Sequence, residues 1–246
     1  METVQTATIK SIVTNDFRTA AIFEKYSLDF CCKGGVTIDQ ACSEKNIDAG
    51  SVYAELAELA NASLGNTPHY SEWPMDELID YIVNVHHKYV RESIPVIYAH
   101  TQKVATVHGS NHPEVVEIAH HFETVAAELQ RHMMKEEHML FPYIKSLVKA
   151  KRKEGVFMAP PFGTAQNPIR MMEAEHRAAG DELYEVRSLS KNYIPPEDAC
   201  TTYRVSFKEL QQFEQDLHQH VHLENNILFP KAIALEQELM KSNILE

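Results

Sequence analysis

Two stretches of this chain carry the same side chains at the same spacing. Residues 132–142 read HMMKEEHMLFP and residues 220–230 read HVHLENNILFP. Both fit H-x-x-x-E-x-x-x-L-F-P, with the two leading histidines 88 positions apart. Residues four apart on a helix lie on one face, one turn from each other. His132 with Glu136, and His220 with Glu224, therefore each present an imidazole and a carboxylate in one direction, a pair suited to a metal ion. A single H-x-x-x-E carries little weight, because a charged helix face produces one cheaply. Two copies, each followed by Leu-Phe-Pro at the same offset, require a common cause.

Each copy has a histidine upstream at a matching distance. His87 precedes His132 by 45 residues, and His176, in the run EAEH, precedes His220 by 44. Spacing alone does not decide between His87 and its neighbour His86. The pattern reads as two helical hairpins, each giving one histidine from its first helix and a His–Glu pair from its second. Packed together, they bring four imidazoles and two carboxylates to one centre. Such a set suits two irons, with two bridging carboxylates and an oxo or hydroxo bridge offsetting their charge and neutral imidazoles completing each ion. Zinc or manganese would accept the same donors. Ferritin-type sites instead use Glu-x-x-His motifs. Glu117–His120 and Glu173–His176 match that motif. However, His120 lies 12 residues from His132, roughly 18 Å along a helix, and cannot share its centre.

The elements that must position these residues are helical. The chain has 246 residues, 44% of them hydrophobic, with only 8 glycines and no sustained strand-like alternation. An all-α fold follows. The polar stretch 61–74 divides a small helical domain, 1–66, from a four-helix bundle, 74–246. Bundle helices are expected over 75–107, 113–153, 168–190 and 197–240, with the longest connection, 154–167, placed midway. Pro113 and Pro168 stand near helix starts, whereas Pro95, Pro142 and Pro230 predict kinks or breaks. In the small domain, Asn15 or Asp16 caps one helix, Thr37 and Gln40 form a capping box, and Asp48 caps a third. Between the first two lies DFCCKGG, residues 29–35, a tight turn by its two glycines.

Composition excludes several classes of function. A net charge of −12 argues against a nucleic-acid partner. No apolar run approaches membrane-spanning length, and METVQTATIK lacks the apolar core of a secretory signal. Four cysteines, two of them adjacent, do not make a disulfide framework. A reducing cytoplasm is the expected location.

Together HMMKEEHMLFP, EAEH, HVHLENNILFP and DFCCKGG resemble the repair-of-iron-centres (RIC) family over nearly the whole chain. Members are hemerythrin-like di-iron proteins with a small N-terminal domain carrying a Cys-Cys pair. The resemblance implies a cytoplasmic bacterial homodimer that restores iron–sulfur clusters damaged by nitric oxide or peroxide. It would do so by donating iron or by handling nitric oxide, and the resemblance leaves open whether a nitric oxide reductase-type activity is involved. Damaged iron–sulfur proteins would be its partners, and nitric oxide or O2 its small ligands. The family's ligand pattern falls on His87, His132, Glu136, His176, His220 and Glu224. It favours His87 because that residue stands eight before Pro95. Hemerythrins proper are less similar, having a further histidine and a differently placed carboxylate. The alternative is a hemerythrin-like sensor or binder of O2 or nitric oxide, but DFCCKGG is foreign to such proteins.

The cysteine pair is a second candidate site. Adjacent thiols can bind iron, accept nitric oxide or cycle to a vicinal disulfide. Lys33 is expected to favour the thiolate, and the Gly-Gly turn to expose Cys31 and Cys32. Cys42 and Cys200 read as structural. Glu128, one turn before His132, and Glu175, beside His176, are candidates for orienting an imidazole or lining a route for metal, with solvated surface glutamates as the plain alternative. The remaining histidines, among them His100, His108, His112, His120, His121, His138, His218 and His222, read as surface or packing residues. The methionines at 133, 134, 139, 171 and 172 read as bundle packing.

Overall fold

A computed structural model describes residues 4–61 and 68–244. The chain is all-α, with no strand among the described residues beyond a single Thr8–Thr37 bridge. Positions 62–67 of the proposed linker lie outside the described residues. Asn61 ends the preceding helix, and a 3-10 turn, Tyr70–Glu72, leads into the bundle.

Four short helices build the N-terminal unit: α1 (Ile9–Asn15), α2 (Ala20–Lys25), α3 (Ile38–Lys45) and α4 (Ala49–Asn61). Their caps follow the sequence chemistry. Asp16 accepts from the Arg18 N–H and opens the turn before α2. Thr37 and Gln40 exchange both bonds of a capping box, and Asp48 accepts the N–H groups of Gly50 and Ser51. A separate apolar cluster around Ile9, Phe23, Phe30, Ile38 and Val52 holds the unit together. Gly34 is required where the cysteine turn closes, since a Cβ there would sit 2.6 Å from the Phe30 carbonyl oxygen.

The bundle has four long helices: α5 over 75–108, α6 over 114–151, α7 (Gln166–Leu189) and α8 over 201–244. The fourth starts later than expected, because residues 197–200 form a turn that ends in extended backbone at Cys200. α6 packs on both α5 and α7, and α8 closes the ring against α5.

The expected breaks at proline take a different form. Pro95 lies inside a continuous helical segment, Lys88–His108. Pro142 and Pro230 follow π-helical segments, Glu136–Leu140 and Leu223–Leu228. There the Phe141 N–H reaches back five residues to the Glu136 carbonyl, and the Phe229 N–H does the same to Glu224. Proline has no N–H and its ring crowds the carbonyl four residues back. The wider turn accommodates it without breaking the helix. α5 carries a third such segment, Ile82–His87. All three contain or end at a residue singled out above.

Two apolar clusters fill the bundle. One includes Ile94, Phe122, Leu129, Leu183 and Phe213; the other includes Leu78, Ile144, Ile169 and Phe229. Among the methionines, Met133 and Met172 are buried, whereas Met134 and Met171 are exposed, contrary to their reading as packing residues.

Candidate metal centre

His87, His132, Glu136, His176, His220 and Glu224 come from all four bundle helices and meet in its interior. All six are buried, and Glu136, Glu224, His87 and His220 have no exposed surface. They form two overlapping sets. His87, Glu136, His220 and Glu224 make one; His132, Glu136, His176 and Glu224 make the other, with the donor atoms of each set within 4.8 Å of one another. Both carboxylates belong to both sets.

The imidazoles face each other in pairs. His87 Nε2 lies 3.1 Å from His220 Nε2, and His132 Nε2 lies 2.9 Å from His176 Nε2. Three of the four rings are tied on their outer side. His87 Nδ1 donates to Glu137 at 2.6 Å, His132 Nδ1 to Glu175 at 2.8 Å and His176 Nδ1 to the Asn225 side-chain oxygen at 2.9 Å. An outward N–H leaves a neutral imidazole with only a lone pair on its inner nitrogen. Two inward lone pairs at this distance need a cation between them, either a proton or a metal ion. The carboxylates give the same indication. Both Glu136 oxygens and Oε2 of Glu224 lie 3.1–3.4 Å from imidazole nitrogens, yet are buried without a hydrogen bond. Buried charge of this kind is retained where it is paired or coordinates a metal. The donor set therefore fits a pair of metal ions.

Proton affinities agree. Burial opposes protonation of His87, but Glu136 and Glu224 outweigh it and carry the ring to about 10. His132 is likewise raised to about 10 against burial, by Glu136, Glu175 and Glu224. The partner His220 is pushed down by burial. Burial and their mutual repulsion act to raise the two glutamates, but the imidazoles hold Glu136 below the usual carboxylate range and Glu224 well below it. One proton per imidazole pair balances the two carboxylates.

The repeated Leu-Phe-Pro also serves the centre. Phe141 stacks on His87 at 5.7 Å between ring centroids, and Phe229 stacks nearly parallel on His176 at 6.2 Å. Each phenylalanine thus braces the histidine from the other helix of its own hairpin.

Several positioning residues escaped the sequence reading. Glu137 and Asn225 hold equivalent rings, and both directly follow the shared glutamates. In each case the wider π turn lets two successive residues reach the histidine layer. His86, buried beside His87, bonds Asp216 at 3.0 Å and stacks on His220 at 5.6 Å. Of the two glutamates proposed from sequence, Glu175 bonds His132 and pairs with Lys135, and the His132 bond leads in holding it at about 2. Glu128 is half-buried and makes no hydrogen bond or ion pair among the described residues. Removing a carboxylate that orients a ligating imidazole typically costs ten- to a hundredfold in metal affinity. Glu175→Ala is expected to weaken metal binding by roughly that factor, measured by competition with a chelator. Unchanged affinity would show that Glu175 does not orient His132.

The cysteine pair lies against this centre. Cys31 and Cys32 are half-buried, with sulfurs 3.7 Å apart, and Asp29 accepts both of their backbone N–H groups. At Cys31 the expectation of a thiolate favoured by Lys33 is not met. Lys33 Nζ pairs with Asp181 at 2.8 Å, while the neighbouring Cys32 sulfur, burial and the Asp29 carboxylate push the Cys31 thiol well up. Cys42 is buried in the N-terminal core, and Cys200 is exposed at the start of α8. A cavity of about 390 Å³ between the two units is lined by Cys31, Cys32 and His176, among others. His222, read as a surface or packing residue, is buried and packs against the rings of Phe17 and Phe30. No helix among the described residues is long and apolar enough to cross a membrane.

Comparison with known proteins bears on this arrangement. Residues 78–232 match the hemerythrin HHE cation binding domain, and residues 5–60 match the ScdA_N domain, described as of unknown function. A probable iron–sulfur cluster repair protein of Haemophilus influenzae is 34% identical over 213 residues, covering 86% of this chain and 90% of the relative. The iron–sulfur cluster repair proteins YtfE of Citrobacter koseri and Escherichia coli O81 are each 35% identical over 222 residues, covering 89% of this chain and 93% of theirs.

Proposed function

Because this chain belongs to the family of hemerythrin-domain iron–sulfur cluster repair proteins, we propose that it holds two irons in the bundle and restores damaged iron–sulfur clusters. The observation that carries this reading is the pair of overlapping His2Glu2 sets, each with two imidazole nitrogens turned on each other. His87 and His220 would hold one iron, His132 and His176 the other, with Glu136 and Glu224 shared. When bound, the irons would supply redox chemistry toward small ligands such as nitric oxide or O2 and a source of iron for clients.

The protein's own groups have defined tasks in this reading. Glu137, Glu175 and Asn225 fix ring orientation and keep a proton on the outer nitrogen, so that each ring turns its inner nitrogen to the centre. Phe141 and Phe229 hold the rings in place and exclude water. The shared carboxylates offset charge that a low-dielectric interior would otherwise reject. Cys31 and Cys32, at the edge of the cavity that reaches His176, would take part in transfer to or from the centre. That docked thiol pair favours repair over a simple binder of O2 or nitric oxide. The cytoplasmic setting and the homodimer rest on family membership.

The test uses purified protein loaded with ferrous iron. It is mixed with an enzyme whose cluster has been damaged by nitric oxide, such as aconitase, and recovery of that enzyme's activity is followed. Recovery is expected with the loaded protein. It should be impaired when Cys31→Ala and Cys32→Ala are combined, while bundle iron stays in place. A loaded protein that restores nothing, with or without reductant, excludes the repair role.

A further inference from the structure

Three of the four imidazoles are held by outward partners, but those partners differ in kind. His87 and His132 donate to carboxylates, Glu137 and Glu175, which can only accept. Each fixes its ring's proton on Nδ1 regardless of its surroundings. His176 donates to Asn225, and an amide can turn over, offering either an oxygen or an N–H to its neighbour. What holds Asn225 in the useful orientation is its second bond. Its Nδ2 donates to the Cys31 carbonyl at 3.2 Å and lies 3.9 Å from the Cys32 sulfur. A carbonyl only accepts, so Nδ2 must face the loop and Oδ1 must face His176. His176 then carries its proton on Nδ1 and presents the bare Nε2 to the centre. Next along the chain, Asn226 Nδ2 donates to the Phe30 carbonyl at 3.1 Å. Both loop-holding amides lie in the π-helical segment that contains Glu224.

We propose that Asn225 couples docking of the Cys31–Cys32 loop to metal retention at the His132–His176 position, by holding His176 in its metal-binding tautomer while the loop is seated. This rests on the reading that the two His2Glu2 sets hold metal. With the loop seated, the amide is locked and the ring is ready. With the loop displaced, Asn225 loses the partner that orients it and His176 is free to place its proton on Nε2, where it opposes a cation. Linkage makes the effect reciprocal: metal at this position must favour the docked loop by the same factor. The His87–His220 position has no such dependence, because Glu137 holds His87 from within the bundle.

The experiment measures thiol reactivity and metal binding on the full chain. Cys31 and Cys32 are alkylated under controlled conditions, with each site followed by peptide mass mapping, in metal-free and ferrous-iron-loaded protein. In the wild type, loading should slow alkylation of both cysteines by roughly five- to tenfold, the lower range of typical coupling between sites. Asn225→Asp keeps an acceptor for His176 but has no N–H for the loop. In this variant the cysteines should react equally fast with and without iron. Conversely, prior alkylation of the wild type should weaken one of two ferrous equivalents in chelator competition, and leave both unchanged in Asn225→Asp. If Asn225→Asp does not fold, the alkylated wild type alone decides, since two unweakened equivalents would overturn the coupling. Two irons bound with no protection of the thiols would overturn it while leaving the metal reading intact. Failure of the wild type to bind iron would overturn both.

Discussion

Glu136→Gln and Glu224→Gln are each expected to lower the metal content of the purified protein from about two ions per chain to one or fewer. Each carboxylate belongs to both donor sets, so neither loss is confined to one ion. Glutamine preserves the shape and removes the charge. In a fully enclosed site that charge cannot be replaced by solvent. A hundredfold loss of affinity corresponds to about 2.7 kcal/mol, a modest figure for an uncompensated charge in such an interior. Metal analysis after dialysis against a weak chelator makes the measurement. Circular dichroism on the same samples shows whether the bundle persists. Two ions retained in both variants would show that the carboxylates are not shared ligands. The alanine variants should lose at least as much metal and some stability as well, because each leaves a cavity in a closed layer.

The second large effect concerns protons. In the metal-free protein one proton stands between the imidazoles of each pair, on His87 and on His132, both carried to about 10. Ferrous iron must displace these protons to bind. Loading at pH 7 should therefore release about two protons per chain, one for each ion, and log apparent affinity for each ion should rise by about one for each pH unit between 7 and 8.5. The same shifts give the metal-free protein a definite stability profile. Both pKa values are raised above the ordinary histidine value of 6.5. Their contribution is thus fully present below pH 6.5 and is lost as the pH rises through about 10. The urea midpoint of metal-free protein should fall over that window. The midpoint of the loaded protein should hold, since bound metal replaces the protons and stabilises by mass action. Proton release near zero, or an affinity independent of pH, would show that the centre holds no exchangeable protons and that the imidazole pairs are neutral.

The sequence alone determined the ligand-type residues and their symmetry. The duplicated H-x-x-x-E is legible because helical periodicity turns spacing into direction, and the matched upstream spacing points to His176 and to the adjacent His86 and His87, between which spacing does not choose. An i, i+4 pair points one way whatever surrounds it. Local sequence chemistry likewise gave the all-α class, a cap at Asn15 or Asp16, caps at Thr37 and Asp48, and the Gly-Gly turn after the cysteines. Local sequence also contained Glu137 and Asn225, one position beyond the repeated glutamates, but their meaning did not lie in spacing. On a regular helix, adjacent residues point in different directions. Only the π turns ahead of Pro142 and Pro230 bring two successive side chains to one layer.

Tertiary structure decided the rest. For three of the four imidazoles, which nitrogen faces inward depends on partners from other helices: Glu137 on α6 for His87, Glu175 on α7 for His132, Asn225 on α8 for His176. The cysteine pair's environment was decided the same way. Lys33 stands beside the thiols in sequence but turns to Asp181 on α7, and the Cys32 sulfur, burial and Asp29 push the Cys31 thiol well up. Charge acts through space and through whatever dielectric the fold supplies. Nearness along the chain therefore predicts a helix face well and a proton's position poorly.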